Sequence, residues 1–188
     1  MRSSYREEDV VLLLKDITGL VEPLPAAQRE RQIQSGRHYC EMLPLEYSPT
    51  APYLAAYEAA LEAYAEPVAD AVSVLAEQLM RQKGPEMVLV SLARAGIPVG
   101  ILLKRYLRQF YGVDAPHYAI SIIRGRGIDH NAMGYLLARY DGAQLQVVDG
   151  WRGKGAILRE LQKEMEKYPD GSDELAVLAD PAAVTNLC

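Results

Sequence analysis

Beyond residue 85 the chain repeats one pattern: a short apolar run, a turn, then a stretch with helical spacing. The apolar runs are residues 87–92 (MVLVSL), 117–123 (HYAISII), 145–149 (LQVVD) and 174–180 (ELAVLAD). Between and after the first three come residues 98–110, 130–140 and 154–168, the last with Ile157, Leu158, Leu161 and Met165 on one face. Apolar runs of this length, bounded by turn residues, are strands covered on both faces. Strands alternating with helices build a parallel sheet through right-handed crossovers. The expected fold class is therefore α/β, a parallel sheet flanked by helices. Such sheets bind ligands at the carboxyl ends of their strands.

The first 84 residues read differently. Residues 10–14 form a short apolar run expected as one or two helical turns, and 20–25 a proline-punctuated connector. Residues 26–35 read as a polar helix closed by Gly36. The stretch RHYCEMLPLEYSPTAP reads as irregular. A long helix is expected from Thr50, with Pro52 in its first turn. Its stripe is Leu54, Tyr57, Leu61, Tyr64, Val68, Val72, Leu75 and Leu79, spaced by three and four. Pro67 is expected to kink or divide this helix, and Gly84-Pro85 to end it. The expected organisation is a helical region at 1–84 packing on an α/β core at 85–188, as one compact unit.

Composition excludes several classes. The 188 residues suffice for a domain with a substantial core. A net charge of −5 argues against a general nucleic-acid binder. No apolar run reaches the roughly 20 residues of a membrane span, and acids precede the first apolar run, unlike a signal peptide. The expected location is cytoplasmic. Cys40 and Cys188 are no disulfide framework, and His38, His117 and His130 have no metal-ligand spacing. The GKG at 153–155 lacks the glycine and the Ser/Thr of a P-loop, and no GxGxxG follows a strand.

The three strand-to-helix loops hold the chemistry. They are ARAGIP (93–98), RGRGID (124–129) and GWRGKG (150–155). A parallel sheet places all three on one edge, which gathers Arg94, Arg124, Arg126, Arg152 and Lys154 with several glycines. Glycine lets backbone amides approach an anion, and arginine binds phosphate in a bidentate way. An acid at a strand tip, Asp149, can accept hydrogen bonds from ribose hydroxyls, and a helix amino end behind it attracts phosphate. The three loops together point to an anion site.

VSLARAGIPVG resembles the pyrophosphate loop of type I phosphoribosyltransferases, and LQVVDGWRGKGA resembles their ribose-phosphate motif. IQSGRHYCEMLP, LVSLARAGIPVG, HYAISIIRGRGIDHNAM and VVDGWRGKGAI together resemble a bacterial family of phosphoribosyltransferase-like proteins. Its genes are linked to tellurite-resistance and stress operons, and its members often carry the name "cysteine protease StiP". The resemblance implies a domain that binds phosphoribosyl pyrophosphate or a related ribose phosphate, serving metabolism of a base or nucleoside-like compound. It also implies sequence continuing past Cys188.

On that resemblance, the loop of Ser91, Ala93, Arg94, Ala95 and Gly96 binds pyrophosphate together with Mg²⁺. Mg²⁺ is held through substrate and water, with Asp149 a weak protein ligand. Asp149 holds a ribose hydroxyl. The loop of Gly150, Trp151, Arg152, Gly153, Lys154 and Gly155 takes the 5'-phosphate, on its amides from Arg152 to Gly155 and on Lys154. Arg124 or Arg126 closes over the leaving group, so that catalysis falls to Asp149, Arg94, Arg124 and Arg126. Three positions depart from the superfamily pattern: Gly150 stands for a second acid, Lys154 for a threonine and Trp151 for a small aliphatic residue.

Trp151 is expected to pack more than to stack on a base. Asp129 is expected to cap the helix at His130 more than to act as a base. Two rival functions remain. One is a non-catalytic ribose-phosphate or nucleotide sensor, which the loss of the second acid favours. The other is a thiol hydrolase in which His38 activates Cys40, two residues away. A homodimer is left open.

Overall fold

The computed structural model describes residues 3–93, 95–181, 183, 185, 187 and 188. In chain order the elements are β1 (Val11–Leu12), β2 (Pro23–Leu24), α1 (Ala26–Gln34), a 3-10 turn at Tyr39–Glu41, β3 (Leu43–Pro44) and α2 (Ala51–Lys83). There follow β4 (Val88–Leu92), α3 (Gly96–Tyr111), β5 (His117–Ile120), β6 (Ile122–Ile123), β7 (Gly127–Ile128), α4 (His130–Leu137), a 3-10 turn at Gly142–Gln144, β8 (Leu145–Val148), α5 (Ala156–Met165) and β9 (Leu175–Ala176). Residues 15–65 form one compact unit, and residues 2–14 with 66–188 form the other. The division falls inside α2.

In the smaller unit β2 and β3 pair in parallel, Pro23 with Leu43 and Leu24 with Pro44. The connector and the irregular stretch expected from sequence thus carry a two-rung ladder. Helix α1 buries none of its residues.

The larger unit holds a five-stranded sheet in the order β1-β5-β4-β8-β9, every neighbouring pair parallel. The expected α/β architecture is present. Residues 10–14 differ from expectation: Val11 pairs with Tyr118 and Leu12 with Ala119, so the run is an edge strand, not a helical turn. Five residues are too few for a stable helix, whereas β5 offers a full ladder of backbone partners.

The strands alternate in the way a doubly covered sheet requires. Val88, Val90 and Leu92 face one core with Tyr118, Ile120, Met133, Leu136, Leu161 and Met165, so α4 and α5 cover that side. Met87 and Leu89 face the other, with Val72, Leu75 and Leu79 of α2 and Val99, Leu103 and Leu107 of α3. The stripe of α2 therefore does its packing in its second half. Leu54, Tyr57, Leu61 and Tyr64 in the first half are exposed. Helix α2 runs unbroken through Pro67, contrary to the expected division. One proline removes one hydrogen bond, and the long turns on either side keep theirs.

The run at 117–123 is also not one strand. It breaks at Ser121, and β6 turns back to pair antiparallel with β7, Ile122 with Ile128 and Ile123 with Gly127. Gly125 and Gly127 take positive φ values of 76° and 85°. The expected RGRGID loop is a tight hairpin made by those two glycines.

Candidate functional site at the strand tips

Strand β4 sits between β5 and β8. The chain passes from β4 through α3 to β5 on one side, then crosses through α4 to β8 on the other. Loops leaving β4 and β8 thus diverge at the sheet's switch point, the place where sheets of this class bind ligands. The described residues at this point are Ala93, Ala95 and Gly96 on one side and Asp149 to Gly155 on the other. Arg94, assigned to pyrophosphate, lies outside the described residues.

Two glycines let these loops meet. A Cβ on Gly96 would stand 2.5 Å from the Val148 carbonyl oxygen, and one on Gly150 would stand 2.7 Å from Cβ of Ala95. The second acid of the superfamily motif is therefore sterically incompatible with Ala95 in this backbone. Sequence reading recorded the departure at Gly150 without its cause.

Asp149 is half-buried at the tip of β8. Its Oδ1 accepts the Gly150 N–H at 2.8 Å. Burial pushes its carboxyl above the usual range, and that one N–H partly offsets the effect. Among the described residues its carboxylate accepts that one N–H, which leaves lone pairs for donors such as ribose hydroxyls.

After Asp149 the chain extends the sheet. Leu178 N–H donates to Gly150 O, and Arg152 N–H donates to Ala179 O at 2.9 Å. The Arg152 amide, assigned to phosphate, is thus engaged by a neighbouring segment. Its side chain turns inward and is 3% exposed. Nη1 lies 3.9 Å from Asp180 Oδ2, and none of its three nitrogens has a hydrogen-bond partner among the described residues. Trp151 points the other way and is 63% exposed.

Gly155, at φ 74°, is the N-cap of α5 and supplies no side-chain acceptor to the first turn. The amides of that turn, with exposed Lys154 beside them, are the groups an anion would meet. Arg159 curls back so that Nη1 donates to Lys154 O at 3.0 Å. It is a further cation at this loop, and its i+4 position from Gly155 could have pointed to it.

Arg124 and Arg126 are exposed on the hairpin turn. The hairpin seats on α5: Glu160 accepts the Gly125 N–H at 2.8 Å, and a Cβ on Gly127 would stand 2.7 Å from the Glu164 carboxyl carbon. Glu164 also takes Lys167 at 2.7 Å and His130 Nε2 at 3.1 Å, and the Lys167 contact holds its carboxyl below the usual range. Glu160 and Glu164, one helical turn apart, went unassigned in the sequence because the hairpin they support, at Gly125 and Gly127, lies in a distant segment. Asp129 is the cap of α4, accepting from Asn131 N–H and Ala132 N–H.

Ser91 lies buried below these loops. Its hydroxyl contacts Gly96 O at 2.8 Å and His117 Nε2 at 2.7 Å, while His117 Nδ1 faces Asp9 O at 2.7 Å. Burial pushes the His117 imidazole down to about 4. Asp9 in turn forms a bidentate pair with Arg105, at 2.6 and 3.0 Å, which holds its carboxyl low. Sequence reading had Ser91 in the loop but no role for His117.

In the smaller unit His38 Nδ1 lies 2.9 Å from Cys40 Sγ and also accepts the Cys40 N–H at 3.4 Å. Among the described residues no group of three His, Cys, Asp or Glu side chains is placed to hold a metal, and no helix is long and apolar enough to cross a membrane.

These features define an α/β protein whose glycine-bearing loops meet at the tips of a parallel sheet. The chain belongs to the family described as "Tellurite-like stress resistance cysteine protease StiP", whose model matches residues 3–188. A curated relative, "Cysteine protease StiP" of Acinetobacter baylyi, is 44% identical over 163 residues, which is 86% of this chain and 42% of that protein. The chain therefore spans less than half the length of this relative. Two solved structures are similar at low identity. Helicobacter pylori xanthine-guanine-hypoxanthine phosphoribosyltransferase is 21% identical, with 61% of this chain and 72% of that one covered and a TM-score of 0.44. A hypothetical protein from Neisseria gonorrhoeae with bound ppGpp is 16% identical, with 60% and 65% covered and a TM-score of 0.41.

Proposed function

We propose that the chain binds phosphoribosyl pyrophosphate or a related ribose phosphate, as a phosphoribosyltransferase-like protein of a bacterial stress or tellurite-resistance pathway. The observation carrying this reading is the apposition of Ala95-Gly96 with Asp149-Gly150 at the switch point, beside the open amino end of α5. Asp149 takes a ribose hydroxyl, and the α5 first turn with Lys154 takes the 5'-phosphate. Ala95-Gly96 offers backbone to the pyrophosphate. Fixed dipoles of this kind stabilise charge that develops as a ribosyl bond breaks.

Mg²⁺ fits a site with a single supporting carboxylate only as a companion of the ligand. It would be held by phosphate oxygens and water, with Asp149 at its edge, and would neutralise pyrophosphate charge. Calorimetry with phosphoribosyl pyrophosphate and Mg²⁺ tests the reading. Wild type should bind, and Asp149→Ala should weaken binding by at least about 10-fold, the loss of a charge-assisted contact. Equal heats would sink it. Binding with pyrophosphate release on adding an acceptor base marks a transferase, and binding without release under any acceptor marks a sensor.

A second reading, a thiol hydrolase, is favoured by the 2.9 Å approach of His38 Nδ1 to Cys40 Sγ. An imidazole at that distance can take the thiol proton. It predicts that iodoacetamide labels Cys40 faster in wild type than in His38→Ala near neutral pH, and that Cys40→Ser abolishes peptide cleavage. Labelling rates indifferent to His38 would leave the contact as a turn cap.

A further inference from the structure

Every residue from 44 to 70 is exposed, so the first half of α2 takes no part in the packing that buries Val72, Leu75, Ala76 and Leu79 of its second half. Its many alanines, strong helix formers, sustain it as a continuation of a helix already anchored. Along it run Tyr53, Leu54, Tyr57, Leu61 and Tyr64, between 45% and 66% exposed. Leu54, Tyr57, Leu61 and Tyr64 are spaced three, four and three, which is the a and d pattern of a helix-pairing seam. A continuous apolar stripe of this kind marks an interaction surface. From Ala51 to Asp70 the chain has acids and no cation. At about 3.6 residues per turn, Glu62, Glu66 and Asp70 fall on the far side of the helix, and Glu58 alone flanks the seam. Ala60 and Ala65 line its edges and leave room for a second helix to come close.

We propose that this seam docks a second copy of the chain, the two α2 helices pairing antiparallel about a two-fold axis beside Ala59. In an antiparallel pair an a position meets a d position. Leu54 then meets Tyr64 of the second copy and Tyr57 meets its Leu61, so each of the layers joins one leucine with one tyrosine. A parallel pair would set tyrosine on tyrosine and leucine on leucine in alternate layers, overfilling one and leaving the next short. A basic partner helix would call for acids along both flanks of the seam, and Glu62, Glu66 and Asp70 stand away from it. The area also suits a second copy. At these exposures the five side chains offer roughly 1,300 Å² over two copies, inside the range of about 1,200–2,000 Å² that specific interfaces bury. Tyrosine is among the residues that dominate the energetics of such contacts.

Sedimentation equilibrium tests this. From about 1 to 200 µM the chain should pass reversibly from monomer to dimer, as an interface of this size sustains. Leu61→Glu should weaken the dimer by at least about 10-fold, the effect of a charge at the centre of a contact. Phe110→Glu, at an exposed aromatic on α3, should leave it unchanged. Leu61 is exposed, so circular dichroism of Leu61→Glu should match wild type, and loss of the dimer is then not loss of the fold. Disulfide trapping reads the direction, with Cys40 and Cys188 first replaced by serine. Copies carrying Leu54→Cys mixed with copies carrying Tyr64→Cys should form a mixed disulfide, and Leu54→Cys alone should form none. A chain monomeric throughout the range overturns the proposal, as does a dimer indifferent to Leu61→Glu. A disulfide between two Leu54→Cys copies overturns the antiparallel order.

Discussion

Gly150 and Ala95 are in mutual contact so close that a methyl group on the former would overlap the methyl of the latter, at 2.7 Å. Gly150→Ala should therefore cost about 1–3 kcal/mol, the usual penalty of overpacking. Ala95→Gly in the same chain should restore most of it. Urea denaturation of the two single variants and the double variant reads this directly. Additive losses in the double variant would mean that the two residues do not share the strain.

Asp149 carries a folded-state pKa raised by burial. The sign follows from linkage: a group that holds its proton more tightly when folded stabilises below its unfolded pKa and loses that contribution as pH rises. Where it is ionised in both states, the half-buried carboxylate is a liability to the fold. Asp149→Asn should unfold at higher urea than wild type at pH 7, with the gap closing near pH 3, while ribose-phosphate binding falls. A variant less stable than wild type at pH 7 would contradict the burial argument.

His117 should make stability acid-sensitive in a defined window. Its folded pKa of about 4 lies below the free value of 6.5, so the unfolded chain takes up the proton first. From this group alone, stability should fall by about 3 kcal/mol as pH drops from near 6.5 to near 4. Asp9 and Glu164, held low by Arg105 and Lys167, lose their contribution at lower pH. Urea midpoints of wild type and His117→Asn between pH 7 and 4 check this: the wild-type slope should be the steeper. Parallel slopes would refute the assignment.

Arg152 and Asp180 form a buried pair at 3.9 Å, with side chains 3% and 4% exposed. Removing one charge leaves the other in low dielectric. Arg152→Met should cost about 3 kcal/mol or more, and Arg152→Met with Asp180→Asn should recover part of that loss. A double-variant cycle in thermal denaturation gives the coupling. No coupling would show that the pair is held apart by other contacts.

The sheet was legible because its cause is periodic. Uninterrupted apolar runs between helices report directly on strands covered twice, and β4, β5 and β8 fall where such runs occur. Edge strand β1 was not, since Val11 and Leu12 owe their conformation to Tyr118 and Ala119, more than a hundred residues away. The hairpin at Ile122 to Ile128 was hidden in the same way, since it seats on a later helix, where Glu160 accepts the Gly125 N–H. Asp149 and its glycine loop could be read from local pattern. The direction of the Arg152 and Trp151 side chains could not. One is drawn in by Asp180 and the other left out, and that choice depends on the segment at 178–180.

Ser91 has one hydroxyl hydrogen and two acceptors within reach, Gly96 O and the bare Nε2 of a neutral His117. It can serve only one at a time. Whatever moves the Gly96 carbonyl, as a ligand settling on that loop would, changes which acceptor receives the hydrogen, and with it the electron density on the imidazole. The ¹⁵N resonance of His117 then becomes a remote gauge of the loop. It would register occupancy of the strand tips from inside the core, through the choice of acceptor for a single proton.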